Sequence, residues 1–374
     1  MNKQLLQQTI DHLAATQEKI NEIETFVGLD GYIDLIQRAV KSEKNGVKEF
    51  FPTIAEIAAH IAKASGVSAQ IELVTQEIKL GGNAPIMAHA LGSLGFTTSC
   101  IGNFGKTEIH PVFKNISERV TLLSVGESAM TNALEFHDGK LILSEVGPFT
   151  HQDWTFIRST VEFSAITQRI ENSSLVALVD WCNLPYATDT WQGILADVLP
   201  KINKKPRVFF FDIADPSRRP DEDLKKALDV VAGYNDYGKV ILGLNENETE
   251  KVYTALNRLN NTNPDTSLSL IEKGKYIFNH INVWNLLIHP TNRSISITKE
   301  KVVELMGRFV KEPKISTGGG DNFNAGFCLG QMLGFSMEES MIAAMANSGA
   351  YVQNGNSPSV ANLINYISQW QSEL

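Results

Sequence analysis

The sequence predicts an α/β protein built on a mainly parallel sheet with helices on both faces, and a second, smaller sheet beside it. Three observations carry that expectation. From residue 147 onward, short apolar runs alternate with amphipathic segments in a βαβα order. The runs Leu175–Val179, Arg207–Asp212, Val240–Leu244 and Val283–His289 lack the polar alternation of a half-exposed strand, as strands buried on both faces should. Residues 120–146 instead read as strands with no helix between them, turning at Asp138-Gly139.

Each element has its own signal. Residues 1–24 form a polar helix with Leu5, Leu6, Ile10, Leu13, Ile20 and Ile23 on one side, and no secretory apolar core. Thr25–Leu29 is a buried strand ending at Asp30-Gly31. Residues 32–52 are mixed, with a polar turn at Lys41–Gly46. Thr53 and Glu56 make a capping box ahead of Ile54, Ile57, Ala58 and Ile61 at helical spacing. Residues 70–80 alternate like a strand, Gly81-Gly82 open a helix to Leu94, and Thr97–Ile101 is a short strand. Helices are expected at Asp221–Val231, Glu246–Asn260, 321–333 and 337–353, the last capped by Ser336 with Glu339. The division expected is a large domain of residues 1–31, 53–69, 81–119 and 147–374, with a β lid of 32–52, 70–80 and 120–146.

Charge and composition remove several classes of function. The 374 residues carry a formal net charge of −9 with no Lys/Arg-rich block, which argues against a nucleic-acid partner. Cys100, Cys182 and Cys328 are odd in number and widely spaced, so neither a disulfide framework nor a zinc site is expected, and reduced thiols fit a cytoplasmic protein. No apolar run approaches the roughly 18 residues of a membrane span. Gly105-Lys106-Thr107 is not a phosphate loop, because position 100 is Cys where that motif needs Gly.

The most informative stretch is Ser316-Thr317-Gly318-Gly319-Gly320-Asp321. A glycine-rich turn entering a helix leaves backbone N–H groups unpaired, with partial positive charge, where a phosphate can sit. Side chains at 318–320 would block that approach. Asp321 stands beside the pocket, where a carboxylate can take the proton of an attacking hydroxyl. Anion cradle plus adjacent base points to phosphoryl transfer onto an alcohol.

Four motifs in order then resemble one family over residues 26–360, the ribokinase-like (PfkB) sugar and nucleoside kinases. The Ser316–Asp321 turn resembles the family's second signature, and Gly81-Gly82-Asn83-Ala84-Pro85-Ile86 opens a stretch resembling the first. Asn245-Glu246-Asn247-Glu248 resembles the Asn-x-x-Glu motif, and Gly28–Asp34 resembles the first strand with its acidic sugar-binding residue. The resemblance implies a three-layer α/β/α ribokinase-like fold with a small β-sheet lid, and ATP-dependent phosphorylation of a hydroxyl on a sugar or sugar derivative. It implies Asp321 as the base, and Gly318, Gly319 and Gly320 as the anion hole. Asp30, Asp34, Gly81, Gly82 and Asn83 would meet the sugar, with Asp34 favoured slightly over Asp30. Asn245, Glu248, Thr317 and Asn347 would serve the nucleotide, and Mg²⁺ would be held through Asn245, Glu248 and waters with no direct protein ligand. A monovalent cation stays open as a further cofactor, and lid sheets that pair between subunits imply a homodimer.

The chain departs from the family pattern in three places, the mildest being Gly319 where the second signature usually has Ala. Ile86 stands where the first signature commonly has Asn. The strand at 283–289 runs into His289-Pro290-Thr291-Asn292-Arg293-Ser294, which lacks glycine and loses an N–H at Pro290, so that Arg293 is a candidate to replace the missing donors. Two other readings are carried: a nucleoside kinase, with Tyr32 and Phe136 as an aromatic clamp, and a non-catalytic sugar- or nucleotide-sensing protein.

Overall fold

The computed structural model describes residues 2–374. The chain runs through α1 (Lys3–Ile20), β1 (Glu24–Gly28), β2 (Tyr32–Lys44), β3 (Val47–Phe50), α2 (Ile54–Ala62) and β4 (Leu73–Gly81). Next come α3 (Asn83–Ser93), β5 (Thr97–Gly102), β6 (Val120–Ser124), β7 (Ala129–Phe136) and β8 (Gly139–Glu145). They are followed by α4 (Trp154–Thr160), α5 (Phe163–Asn172), β9 (Leu175–Leu178), α6 (Ala187–Gly193), β10 (Val208–Asp212), α7 (Asp221–Gly233) and β11 (Lys239–Leu244). Last are α8 (Glu246–Leu259), α9 (Leu270–His280), β12 (Asn285–Ile288), β13 (Arg293–Ile297), β14 (Val302–Met306), α10 (Gly319–Leu333), α11 (Met337–Asn354) and α12 (Val360–Ser372).

Nine strands form one sheet in the order β14-β13-β12-β11-β10-β9-β1-β5-β6. It is parallel from β12 to β6, with β13 and β14 antiparallel at one edge. The two-residue period of a strand divides its side chains between two helical layers. Phe209 and Phe211 pack with the α4–α9 layer, and both rings meet Tyr234 edge-on at 5.0 Å. Val208 and Phe210 point the other way, into the layer that holds α1, α3 and α10–α12. Each fully buried ring of this kind contributes about 1.5–3 kcal/mol of transfer free energy. This is the three-layer α/β/α fold expected. No helix among the described residues is long and apolar enough to cross a membrane.

The small sheet is ordered β3-β2-β7-β8, with β4 paired to β2. Its strand register puts Asp34, Lys79, Thr131 and Ser144 in one row, while Leu35, Ile78, Asn132 and Leu143 share the opposite face.

Two boundaries of the expected division need correction. Val120–Ser124, expected in the lid, is β6 and pairs in parallel with β5 at the edge of the large sheet. The three strands of 120–146 look alike because no helix separates them, yet the chain passes from one sheet to the other at residues 125–128. Residues 53–69, expected in the large domain, carry α2, which lies on the small sheet. Ile57 is buried with Ala39 and Phe51, and Phe136 packs against them. Thr53 accepts the Glu56 N–H at 3.2 Å, but Glu56 turns away from the cap to pair with Lys41. Arg293–Ile297 and Val302–Met306 form a hairpin that periodicity did not suggest.

Candidate active site

Successive strands deliver polar groups to the carboxyl end of the large sheet, the usual place for a site in a parallel sheet. Asp30 follows β1, Asp180 lies just beyond β9, Asp212 ends β10, Asn245 follows β11 and His289 follows β12. The N-terminus of α10 faces the same end.

Gly318 is the N-cap of α10 at φ +88°, and a Cβ there would stand 2.7 Å from Tyr351 Oη, so only glycine fits. Gly320 is different, since a Cβ on it would meet nothing nearer than His289 Cε1 at 3.5 Å. Its lack of a side chain therefore keeps open the cleft above the turn rather than relieving a clash. That cleft has a volume of about 400 Å³ and is lined by Asn245, His289, Gly319, Gly320, Phe323 and Met345, among others. Gly319 donates its N–H to Ser316 O at 3.2 Å, while the Gly318 and Gly320 N–H groups have no protein acceptor among the described residues. Two of the three glycine N–H groups expected in the anion hole are thus free, and of these two residues Gly320 lines the cleft.

Asp321 is 8% exposed and its carboxylate has no side-chain partner among the described residues. Burial first, then repulsion from Asp212 and Asp30, holds its pKa well above the ordinary carboxylate range. Asp212 is fully buried in the same field, with one oxygen accepting the Asn324 amide at 3.2 Å.

The two aspartates expected at the sugar behave differently. Asp30 caps α3, its oxygens accepting N–H groups of Asn83 and Ala84, both at 2.7 Å. Asp34 lies over Gly81, where an added Cβ would be 2.2 Å from its carboxyl carbon. Burial raises its pKa to about 6, against the opposing pull of Lys79, Thr131 and Lys140. Gly82 sits under Asp30 at φ +95°, a Cβ there falling 2.4 Å from the Asp30 oxygen. Asn83 gives its N–H to Asp30 as the first residue of α3.

Asn245 and Glu248 form a reciprocal capping box on α8, closed further by an Asn245 side-chain N–H to Glu248 Oε1 bond at 2.6 Å. Burial raises the Glu248 pKa, and the charge of Asp212 adds to it.

Two expected nucleotide residues lie elsewhere. Asn347 is fully buried and donates to Asn322 O at 2.7 Å, in the packing of α11 on α10. Met345, Ser348, Gly349 and Val352 line the cleft instead, one stripe at helical spacing that excludes position 347. Thr317 points away from the cleft: its Oγ1 accepts from the lid residue Lys140 at 3.2 Å and its carbonyl from Tyr351 Oη at 2.8 Å. Its neighbour Ser316 lines the cleft.

Sequence reading missed three groups. Asp180 is 0% exposed at φ 60°, with one oxygen lacking any partner. Its signal was present, since it follows a buried strand as Asp30 does. His289 entered only as part of an altered turn. Lys140 is paired with Glu135 at 2.8 Å and reaches across to the 316–321 turn, a contact no sequence pattern announces. Arg293 is tied to Glu304 at 2.9 Å on the β13–β14 hairpin. Phe136 belongs to the small core under α2, and Tyr32 is buried edge-on against Phe149 at 5.2 Å, so the two form no clamp.

Known proteins similar to this chain include sugar kinases. Residues 6–370 match the family model described as prokaryotic ketohexokinase. A ketohexokinase of Haloferax volcanii is 24% identical over 349 residues, covering 92% of this chain and 91% of that one. Among solved structures, ribokinase of Thermotoga maritima superposes with a TM-score of 0.63 at 13% identity, covering 92% of this chain and 99% of that one. Arabidopsis thaliana ribokinase, complexed with ribose and ATP, gives 0.61 at 16% identity, covering 93% and 98%.

Proposed function

The chain belongs to the prokaryotic ketohexokinase family and is a carbohydrate kinase, and on that premise we propose that it transfers the terminal phosphoryl group of ATP to a hydroxyl of a ketohexose. The observation that carries the mechanism is the pairing of Asp321 with the open turn at Gly318–Gly320. Asp321 takes the proton of the acceptor hydroxyl as its oxygen attacks phosphorus, and burial, by raising its pKa, makes its carboxylate a stronger base. The free N–H groups of Gly318 and Gly320 receive charge that develops on the transferred group. The apolar part of the cleft, with Phe323 and Met345, suits a nucleobase.

On the acceptor side we assign Asp34 as the carboxylate that grips sugar hydroxyls, because Asp30 has spent its oxygens on α3. Asp180 adds a second buried acceptor with a vacant oxygen. Gly81, Gly82 and Asn83 shape the floor of this half. Tyr32 and Phe136 do not form the clamp a nucleoside would use.

Mg²⁺ would neutralise phosphate charge when bound. The donor set fits it through water: Asp212 and Glu248 are buried carboxylates, the charge of Asp212 raises the Glu248 pKa, and a nearby divalent cation would relieve that repulsion. Among the described residues no three acidic, His or Cys side chains converge to hold a metal directly.

The experiment is acceptor-dependent ADP release with Mg-ATP over ketohexoses, aldoses, sugar acids, phosphosugars and nucleosides. Turnover should be fastest with a ketohexose. Faster turnover with a nucleoside would overturn the substrate assignment, and binding without turnover of any acceptor would favour a sensor.

A further inference from the structure

The start of the 289–294 turn offers the nucleotide cleft no main-chain donor. Pro290 has no N–H, and the His289 N–H is already given to Leu244 O at 2.9 Å. Arg293, the obvious charged substitute, is held by Glu304. Thr291 and Asn292 line the cleft too but are exposed, which leaves one partly buried polar side chain of this turn in the cleft with an unpaired ring nitrogen.

That side chain is His289. Its ring lies on Phe323 with centroids 4.8 Å apart, which fixes its plane. The Cε1 edge, flanked by both ring nitrogens, faces Gly320 in the phosphate turn at the 3.5 Å spacing given above. Nε2 is shut from solvent and has no partner. A buried polar atom left unpaired costs free energy, and a ligand that pairs it recovers that cost.

We propose that the His289 imidazole donates a hydrogen bond to the phosphate chain of the bound nucleotide, making up for the main-chain donors lost at residues 289 and 290. Burial pushes its pKa down to about 4, so the ring is neutral near pH 7, with one N–H to donate. A neutral donor binds phosphate by direction rather than by charge. The group it reads is the phosphate chain, because the Cε1 edge of the ring faces Gly320 in the phosphate turn.

The proposal rests on the nucleotide reading of the cleft, and the test separates the two. ADP and adenosine are titrated calorimetrically into the full chain, into His289→Ala and into His289→Gln, with thermal melts of all three. The Ala variant should bind ADP roughly tenfold or more weakly, as for loss of one hydrogen bond to a charged group, with adenosine affinity unchanged within about twofold. The Gln variant, which restores a neutral N–H, should recover most of the ADP affinity and guards against an Ala variant that folds poorly. ADP affinity within about twofold of wild type in the Ala variant, or equal losses for ADP and adenosine in both variants, overturns the assignment of His289 alone. A wild-type chain that binds neither ligand overturns the nucleotide reading and this proposal with it.

Discussion

Asp30 and Asp34 stand four residues apart, each over its own glycine, and differ in what their oxygens already do. Asp30 is committed to the first turn of α3, whereas Asp34 lies over a glycine and feels Lys79, Thr131 and Lys140. The same accounting applies to Asp180, Asp212, Asp321 and Glu248, which share one end of the sheet. Burial is the largest cause of the raised pKa of each, with mutual repulsion added for Asp180, Asp321 and Glu248. A carboxyl group whose folded pKa lies above its unfolded value, near 4, binds more protons folded than unfolded between those two values. Its stabilising contribution is present below the unfolded pKa and is lost as pH rises through the folded one. The melting temperature of the ligand-free chain should therefore fall between about pH 5.5 and about pH 8, and Asp180→Asn should flatten that fall and raise stability at the upper end. Calorimetry checks both, and a melting temperature that rises over this range would contradict the assigned shifts.

At the scale of elements, a side chain of the small sheet reaches the phosphate turn. Lys140 of β8, steadied by Glu135, donates to Thr317 beside the anion hole. Lys140→Met should weaken lid closure and raise the acceptor KM about three- to tenfold, the effect of one polar contact, leaving ADP affinity unchanged. An unchanged acceptor KM would show that the lid closes without it.

How far the elements were legible follows from what each signal encodes. The buried strands and the capped helices α8 and α11 were readable because apolar runs and caps are local signals. The assignment of β6 to the lid failed because pairing partners are not local: a five-residue strand carries no mark of which sheet it joins. Asn347 was misplaced for a related reason. Its helix was clear, but which stripe of α11 faces the cleft depends on how α11 packs on α10, where Gly326 leaves room for Asn347 itself. The hairpin β13–β14 was overlooked because Ser294 and Ser296 are buried where an amphipathic strand would place apolar residues.

At the scale of the whole molecule, one face of the lid lacks a covering. Ile78, Met130 and Leu143 are 56%, 38% and 50% exposed on β4, β7 and β8. The register puts them on the side opposite Asp34, so they do not serve the acceptor site. We propose that two chains pair through this face, since a contiguous apolar patch is costly to leave in water. Light scattering at micromolar concentration should give a dimer, and Leu143→Glu with Ile78→Lys should give a monomer. A monomeric wild type would exclude the pairing.

The central claim is that Asp321 removes the acceptor proton beside the Gly318–Gly320 turn. The measurement that reaches it most directly is acceptor-dependent ADP release in wild type and Asp321→Asn, with ADP affinity measured in both. The account predicts a loss of about 10²–10⁴-fold in kcat with ADP affinity nearly unchanged. A variant that turns over within about threefold of wild type would contradict it, because a base that can be removed at so little cost is not the base.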